Sequence, residues 1–356
     1  MKYLGIILLF LSIGCQERQS SEAENNLNLV RVARSEKLWT GIAVSKDNRI
    51  FVNYPRWSDQ HTISVAEVID SNKVIPFPDI KWNSWEPSKS PRKHFVCVQS
   101  VYMDRDNNLW ILDTGLDIRR GIIEGGSKLL KFDYDSKTIL KKIYFKPLVL
   151  QSASYLNDVR IDIEHNFAYI TDSGTGAILV VNLETGASRR VLEHHPSTKS
   201  EKITLKIEGK KWLRPDGSEP QIHSDGIALD VNGEYLYFQA LTGRRLYRIN
   251  TSDLRDPSLS ESELGQKVEF LGISGASDGI AFGPDGNLYL TSIEFNAIRR
   301  FTPERKVEMV IQHPHLKWPD SIAITKHGTV YVTTSQIHLG AERSMPYLIL
   351  KILKEQ

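Results

Sequence analysis

An all-β fold, a six-bladed β-propeller with about four antiparallel strands per blade around a central channel, is what this sequence predicts. Three observations predict it. One phrase recurs six times, each copy holds turn formers at the same place, and no amphipathic helix longer than two turns is evident. The phrase is clearest at Ser277–Ile293, SDGIAFGPDGNLYLTSI. It recurs at Ser224–Leu241, Pro319–Ser335, Asn157–Ser173, Gln99–Thr114 and Thr40–Tyr54.

Each copy reads as a hairpin whose first strand alternates. In Asp225-Gly226-Ile227-Ala228-Leu229 and Asp278-Gly279-Ile280-Ala281-Phe282, every second residue is apolar, which sends one face into packed core. The Gly, Ala or Ser residues between them fit a crowded opposite face. Turn formers such as Lys46-Asp47-Asn48, Asp106-Asn107-Asn108 and Pro284-Asp285-Gly286 separate the two strands, because Asn, Asp and Gly accept the positive φ of tight hairpins. Third strands follow at Gly176–Leu183, Arg245–Asn250 and Ala297–Thr302, and fourth strands at Arg189–Leu192, Val268–Leu271 and Val307–Ile311. Repeat starts at Thr40, Gln99, Asn157, Asp225, Asp278 and Asp320 are spaced as propeller blades are. The long segments Trp82–Arg92 and Glu193–Pro220 read as loops over one face.

Residues Met1–Cys15, MKYLGIILLFLSIGC, have a basic start and an apolar run too short to span a bilayer, which reads as a secretory signal. Ser12 and Gly14 before Cys15 resemble a bacterial lipoprotein processing site, so Cys15 is the expected acylation site; the alternative is a simple cleaved signal. Residues 16–27 are polar and read as a flexible tether, leaving 28–356 as one propeller domain. Cys97 is the other of the two cysteines, so the processed chain forms no intramolecular disulfide. With 45 Lys+Arg against 43 Asp+Glu, charge does not mark a nucleic-acid binder. The expected state is an exported monomer, touching the membrane only through its lipid, in the bacterial cell envelope or secreted.

Several stretches carry a resemblance to a known family: Phe51–Trp57 (FVNYPRW), Val101–Gly115 (VYMDRDNNLWILDTG), Phe167–Leu183, Arg189–His195, Ser224–Arg248 and Trp318–Thr334. From about Trp39 to the C-terminus the chain resembles the major royal jelly protein and Yellow family, as a bacterial-type member. The resemblance implies a six-bladed propeller. It also implies a choice of roles: a nutritive protein, a pigment-pathway protein linked to dopachrome conversion, or a binder of biogenic amines in the channel. More distantly the sequence is similar to gluconolactonase and regucalcin-type propellers, where an Asn and an Asp at inner-strand starts and a Glu from another blade hold a divalent metal. Asn157 and Asp225 stand at comparable positions, and Thr40 occupies the first-blade start.

Inner strands start at one end of the channel, so Thr40, Gln99, Asn157, Asp225, Asp278 and Asp320 should form a polar ring. Three readings stay open. In the first the residues cap their own blades; in the second Asn157, Asp225 and Asp278 hold a hard cation such as Ca²⁺; in the third the ring binds an organic ligand, cationic ones included. Tyr54 and Arg56 follow the first hairpin and are candidates for the same channel mouth. His223, just before Ser224-Asp225, is the candidate base or gate beside the ring. Asp113 and Asp172, each ahead of small residues, are expected to fix loop geometry.

No Gly-Lys-Ser/Thr loop, Gly-x-Ser-x-Gly elbow or Cys-x-x-Cys pair is present. The expected function is binding of a small organic ligand (aromatic, amine or sugar-like) in the channel. The alternative is a metal-dependent lactonase-like hydrolase or a dopachrome-tautomerase-like isomerase at its mouth.

Overall fold

Six four-stranded antiparallel sheets stand radially around one axis in the computed structural model, which describes residues 27–58, 61–343 and 345–354. The predicted signal, the Cys15 site and residues 16–26 lie outside the described residues. The inner strands are Ile42–Val44, Val98–Met103, Leu156–Asp162, Ser224–Leu229, Ser277–Phe282 and Pro319–Ile324. Each packs beside the next around the ring, and the last packs beside the first.

Blades 1 to 5 each take their four strands in chain order. The sixth does not. Its outer strand is Leu27–Ser35 from the start of the described chain, paired antiparallel with Tyr347–Lys354 so that Leu27 lies opposite Lys354 and Ser35 opposite Tyr347. Leu27, read from the sequence as the last residue of the tether, lies in this strand.

Alternation along the strands explains the core. Each sheet is sandwiched between two others, so both of its faces bury apolar side chains. One cluster fills each of the six gaps between blades: Phe51 with Phe77, Leu109 and Phe132 between blades 1 and 2, for example, and Ile280 with Leu246, Leu290 and Phe301 between blades 4 and 5. Trp39 and Tyr54 pack with Tyr331 and Ile349 where blade 6 meets blade 1.

In blades 1, 3, 4 and 6 a polar residue near the end of the second strand stitches neighbouring blades. Asn53 Nδ2 donates to the Val98 carbonyl at 3.0 Å, Thr171 Oγ1 to that of Asp225 at 2.8 Å, and Gln239 Nε2 to that of Ser277 at 3.3 Å. Thr333 Oγ1 donates to the Thr40 carbonyl, joining the last blade to the first. Asp113 and Asp172 are built into loops. Asp113 accepts from the backbone N–H groups of Val96, Cys97 and Gly115, and its partner Lys128 lies 2.6 Å away with both side chains wholly buried. Asp172 holds Arg190 at 2.8 Å.

The segment over 193–220 covers the end of the channel where inner strands start. It forms a small hairpin, Lys206–Ile207 with Lys210–Lys211, and buries Leu205 and Ile207 with Leu241, Ile293 and Trp318. Trp212 meets Trp318 edge to face at 4.7 Å between ring centres.

Candidate functional site

The inner strands are not regular. In blades 2 to 6 the pairing to the second strand slips by one residue near the strand start, as between Ser224 and Ile227 or Ser277 and Ile280. A bulge of this kind re-aims the side chain it carries. Here it sits at the Asn or Asp that opens the repeat, and it brings residues of different blades together at the axis.

Asn157 Nδ2 of blade 3 donates to Asp225 Oδ1 of blade 4 at 2.5 Å. Trp318 Nε1 donates to Asp278 Oδ2 at 2.7 Å. Asp320 is flanked by the Ser321 and Ser335 hydroxyls. Glycine after Asp225 and Asp278 is required by close approach. A Cβ on Gly226 would lie 2.7 Å from the Asp278 carbonyl oxygen, and one on Gly279 would lie 2.6 Å from that of Asp320.

Burial dominates the acidity of this cluster, because a carboxylate taken out of water favours its neutral form. Asp278 is pushed up to about 7 by burial and the Asp158 charge, against the Trp318 hydrogen bond. Asp225 lies well above the ordinary carboxylate range through burial and then the charges of Asp278, Asp158 and Asp320. Asp320 rises in the same way, burial first and Asp278 next. Burial and mutual repulsion thus favour the neutral form of each of these acids.

Two residues of the site were not singled out in the sequence. Asp158 stands where the other blades have Gly226, Gly279, Ser321, Ser100 and Gly41, and Arg160 stands where they have Ala228, Ala281, Ala323, Ala43 and Tyr102. Both face the channel. Arg160 reaches across the axis from blade 3 to donate to the Ile280 carbonyl of blade 5 at 2.9 Å; it also lies 3.7 Å from Asp158 and sits over the Tyr102 ring at 5.2 Å. The signal was available: these are the charged exceptions on a face made, apart from Tyr102, of Gly, Ala and Ser.

The remaining candidates lie elsewhere. Thr40 Oγ1 accepts from Asn53 Nδ2 at 2.9 Å, and Gln99 Oε1 accepts from the Tyr155 hydroxyl at 2.6 Å. Tyr54 is buried between blades 6 and 1 beside Trp39, and burial pushes its hydroxyl pKa up. Arg56 donates to the carbonyls of Val96 and Trp85, which fixes a loop. His223 Nδ1 accepts the Ser200 N–H at 3.0 Å, and burial with nearby Lys199 pushes its pKa down. That ring nitrogen is already committed to the 193–220 segment, away from the carboxylates.

Among the described residues no group of three His, Cys, Asp or Glu side chains is placed to hold a metal ion. Asn157 presents its amide N–H to Asp225, and the Trp318 indole occupies one oxygen of Asp278. So arranged, Asn157, Asp225 and Asp278 do not fit a cation cage.

Open space lies beyond Arg160. Where the inner strands end, a chamber of about 430 Å³ opens to solvent. Tyr102, Met103, Phe282 and Ile324 give it an apolar wall, Asp158 and Arg160 form its inner end, and Lys46, Arg105, Lys326 and His327 stand at its rim.

Comparison with known proteins fits this architecture. The chain is 24% identical to major royal jelly protein 7 of Apis mellifera over 256 residues, a match covering 62% of this chain and 52% of that protein. It is 24% identical to the protein yellow of Drosophila madeirensis over 233 residues, covering 60% of this chain and 39% of the other. The matches to these relatives thus span about half of their length or less. Among solved structures, a gluconolactonase from Xanthomonas campestris superposes with a TM-score of 0.56 at 12% identity, over 92% of this chain and 89% of that one, a likeness of fold. The sequence profile described as Major royal jelly protein matches residues 96–348, which is most of the chain. The chain belongs to the major royal jelly protein family.

Proposed function

We propose that this protein is an exported propeller that binds a small organic molecule in its channel, seated in the chamber beyond Arg160. The observation that carries the reading is the chamber itself. Its volume of about 430 Å³ falls in the range of small-molecule sites, and it combines an apolar wall with a few polar groups at its inner end. The carboxylate cluster has a different part in this reading. Asn157 bonds to Asp225, Trp318 to Asp278 and Ser321 to Asp320, and the first two contacts tie neighbouring blades together at the axis. The Met1–Cys15 signal supports export with Cys15 as lipid anchor, and the protein acts as a monomer with no nucleic-acid partner.

Calorimetry against aromatic amines, aromatic acids, catechols, sugars and lactones tests the reading. Binding by one class, weakened about tenfold or more in Phe282→Ala, is expected. No binding by any class removes it.

A second reading is a lactonase-like hydrolase or dopachrome-tautomerase-like isomerase using the ring. The gathering of Asp225, Asp278 and Asp320 from three blades at the axis favours it. A cation such as Ca²⁺ would have to displace the Asn157–Asp225 hydrogen bond. Elemental analysis of the purified protein and lactone turnover, lost in Asp225→Ala, decide it; a metal-free protein without turnover rejects the hydrolase.

A further inference from the structure

The two ends of the channel carry different ionisable groups, and Arg160 stands between them. On one side lie Asp225, Asp278 and Asp320; on the other lies the chamber, whose lining includes Lys46, Arg105, Arg160 and Lys326 against Asp104 and Asp158. Both acids are answered within the protein. Asp104 accepts from Trp110 Nε1 at 2.7 Å and Asn108 N–H at 2.8 Å, with Lys131 at 3.8 Å. Asp158 has Arg160 at 3.7 Å.

The turn carboxylates near the rim are also committed. Asp47 accepts from Ser45 and from the Tyr134 hydroxyl at 2.7 Å, and Asp285 from the Tyr289 hydroxyl and Asn287 Nδ2, both at 2.9 Å. Lys46 and Lys326 are exposed at the rim, and among the described residues neither ammonium has an ion-pair or hydrogen-bond partner. A recess with low-dielectric walls focuses the field of such charges on whatever enters it.

We infer that the chamber selects an organic carboxylate with an apolar body, its acid group at the Lys46 and Lys326 rim and its body against Tyr102, Met103, Phe282 and Ile324. The inference rests on the channel-binding reading above and names the ligand class for it. A protonated amine of the same shape meets two uncompensated ammonium groups at the mouth. A neutral analogue gains only the wall contacts. Electrostatic complementarity thus sets the order acid, neutral, amine.

The test uses matched compounds that share one body: indole-3-acetate, indole-3-ethanol and tryptamine, with octanoate, octanol and octylamine as a second set, titrated by calorimetry. The acid should bind about tenfold or more tighter than the neutral compound, and the amine weakest. Raising salt from 0.02 to 0.5 M should shrink the acid's advantage, because exposed charges are screened. Lys46→Glu with Lys326→Glu, both at exposed sites, should abolish that advantage and leave the neutral compound's affinity within about twofold. Equal or tighter binding of the amine overturns the ligand class and leaves the channel reading standing. An acid preference that survives the double substitution overturns the rim assignment. Binding by none of the six overturns both.

Discussion

Asp278 shows most directly how one side chain feels the whole channel. Its acidity is pushed up to about 7, while an unfolded aspartate titrates near 3.9. The native state therefore holds a proton that the unfolded chain has lost between these values. The stabilisation is fully present below about pH 4 and disappears as pH rises through about 7. Urea midpoints at pH 5, 6, 7 and 8 should show the native protein losing stability more steeply with pH than Asp278→Asn; equal slopes would contradict the assignment. The wholly buried Lys128–Asp113 pair behaves differently. Lys128→Met strands a buried carboxylate and should cost about 3–5 kcal/mol at neutral pH. A loss under 1 kcal/mol, read from denaturant midpoints, would mean that the three backbone N–H donors suffice for Asp113. The residue scale is also where sequence reading reached least. Tyr54, Arg56 and His223 are neighbours of the ring in sequence, but side chains just outside a strand end point wherever the next turn sends them. Asp158 and Arg160 lie within an aligned repeat, but on a face where the other blades carry mostly small side chains, and nothing local in the sequence marks that face as the channel wall.

The inner strands combine a bulge with glycine, and the two features serve one geometry. The bulge turns Asp225, Asp278 and Asp320 to the axis, and the following residue lets the next blade's backbone come close. Gly279→Ala places a methyl 2.6 Å from the Asp320 carbonyl oxygen and should destabilise by about 1–3 kcal/mol, since that neighbour is backbone and yields only if the blade shifts. Thermal melting of the variant beside Gly286→Ala is informative. Gly286 has open space around it but a positive φ, so its cost reports strain alone. Thr171→Val removes the donor to the Asp225 carbonyl and should cost about 1–2 kcal/mol, the penalty of an unsatisfied buried acceptor. The elements themselves were legible. Third strands expected at Gly176–Leu183 and Arg245–Asn250 are found at Ala177–Asn182 and Arg245–Asn250, because alternation and turn residues are local signals. The packing of Trp212 onto Trp318 was not legible, as it joins an insertion in one repeat to the start of another.

For the whole molecule, six blades could be counted from the sequence, but the closure could not. Leu27–Ser35 has no turn phrase of its own, and its partner Tyr347–Lys354 lies at the other end of the chain. A chain starting at residue 36 should leave Tyr347–Lys354 as an open edge. Light scattering should then show association, and melting should lose its cooperativity; a monomer with an unchanged melting temperature would show that the clasp is dispensable.

That clasp also orders events in time. Leu27–Ser35 is made before any blade, yet it cannot pair until the sixth blade's Tyr347–Lys354 has been made. During synthesis the strand must wait, unpaired, for nearly the full length of the domain. Completion of the ring thus reports that every blade has been delivered, and a chain cut short anywhere keeps its first strand free, a ready handle for the proteases and chaperones that sort unfinished proteins.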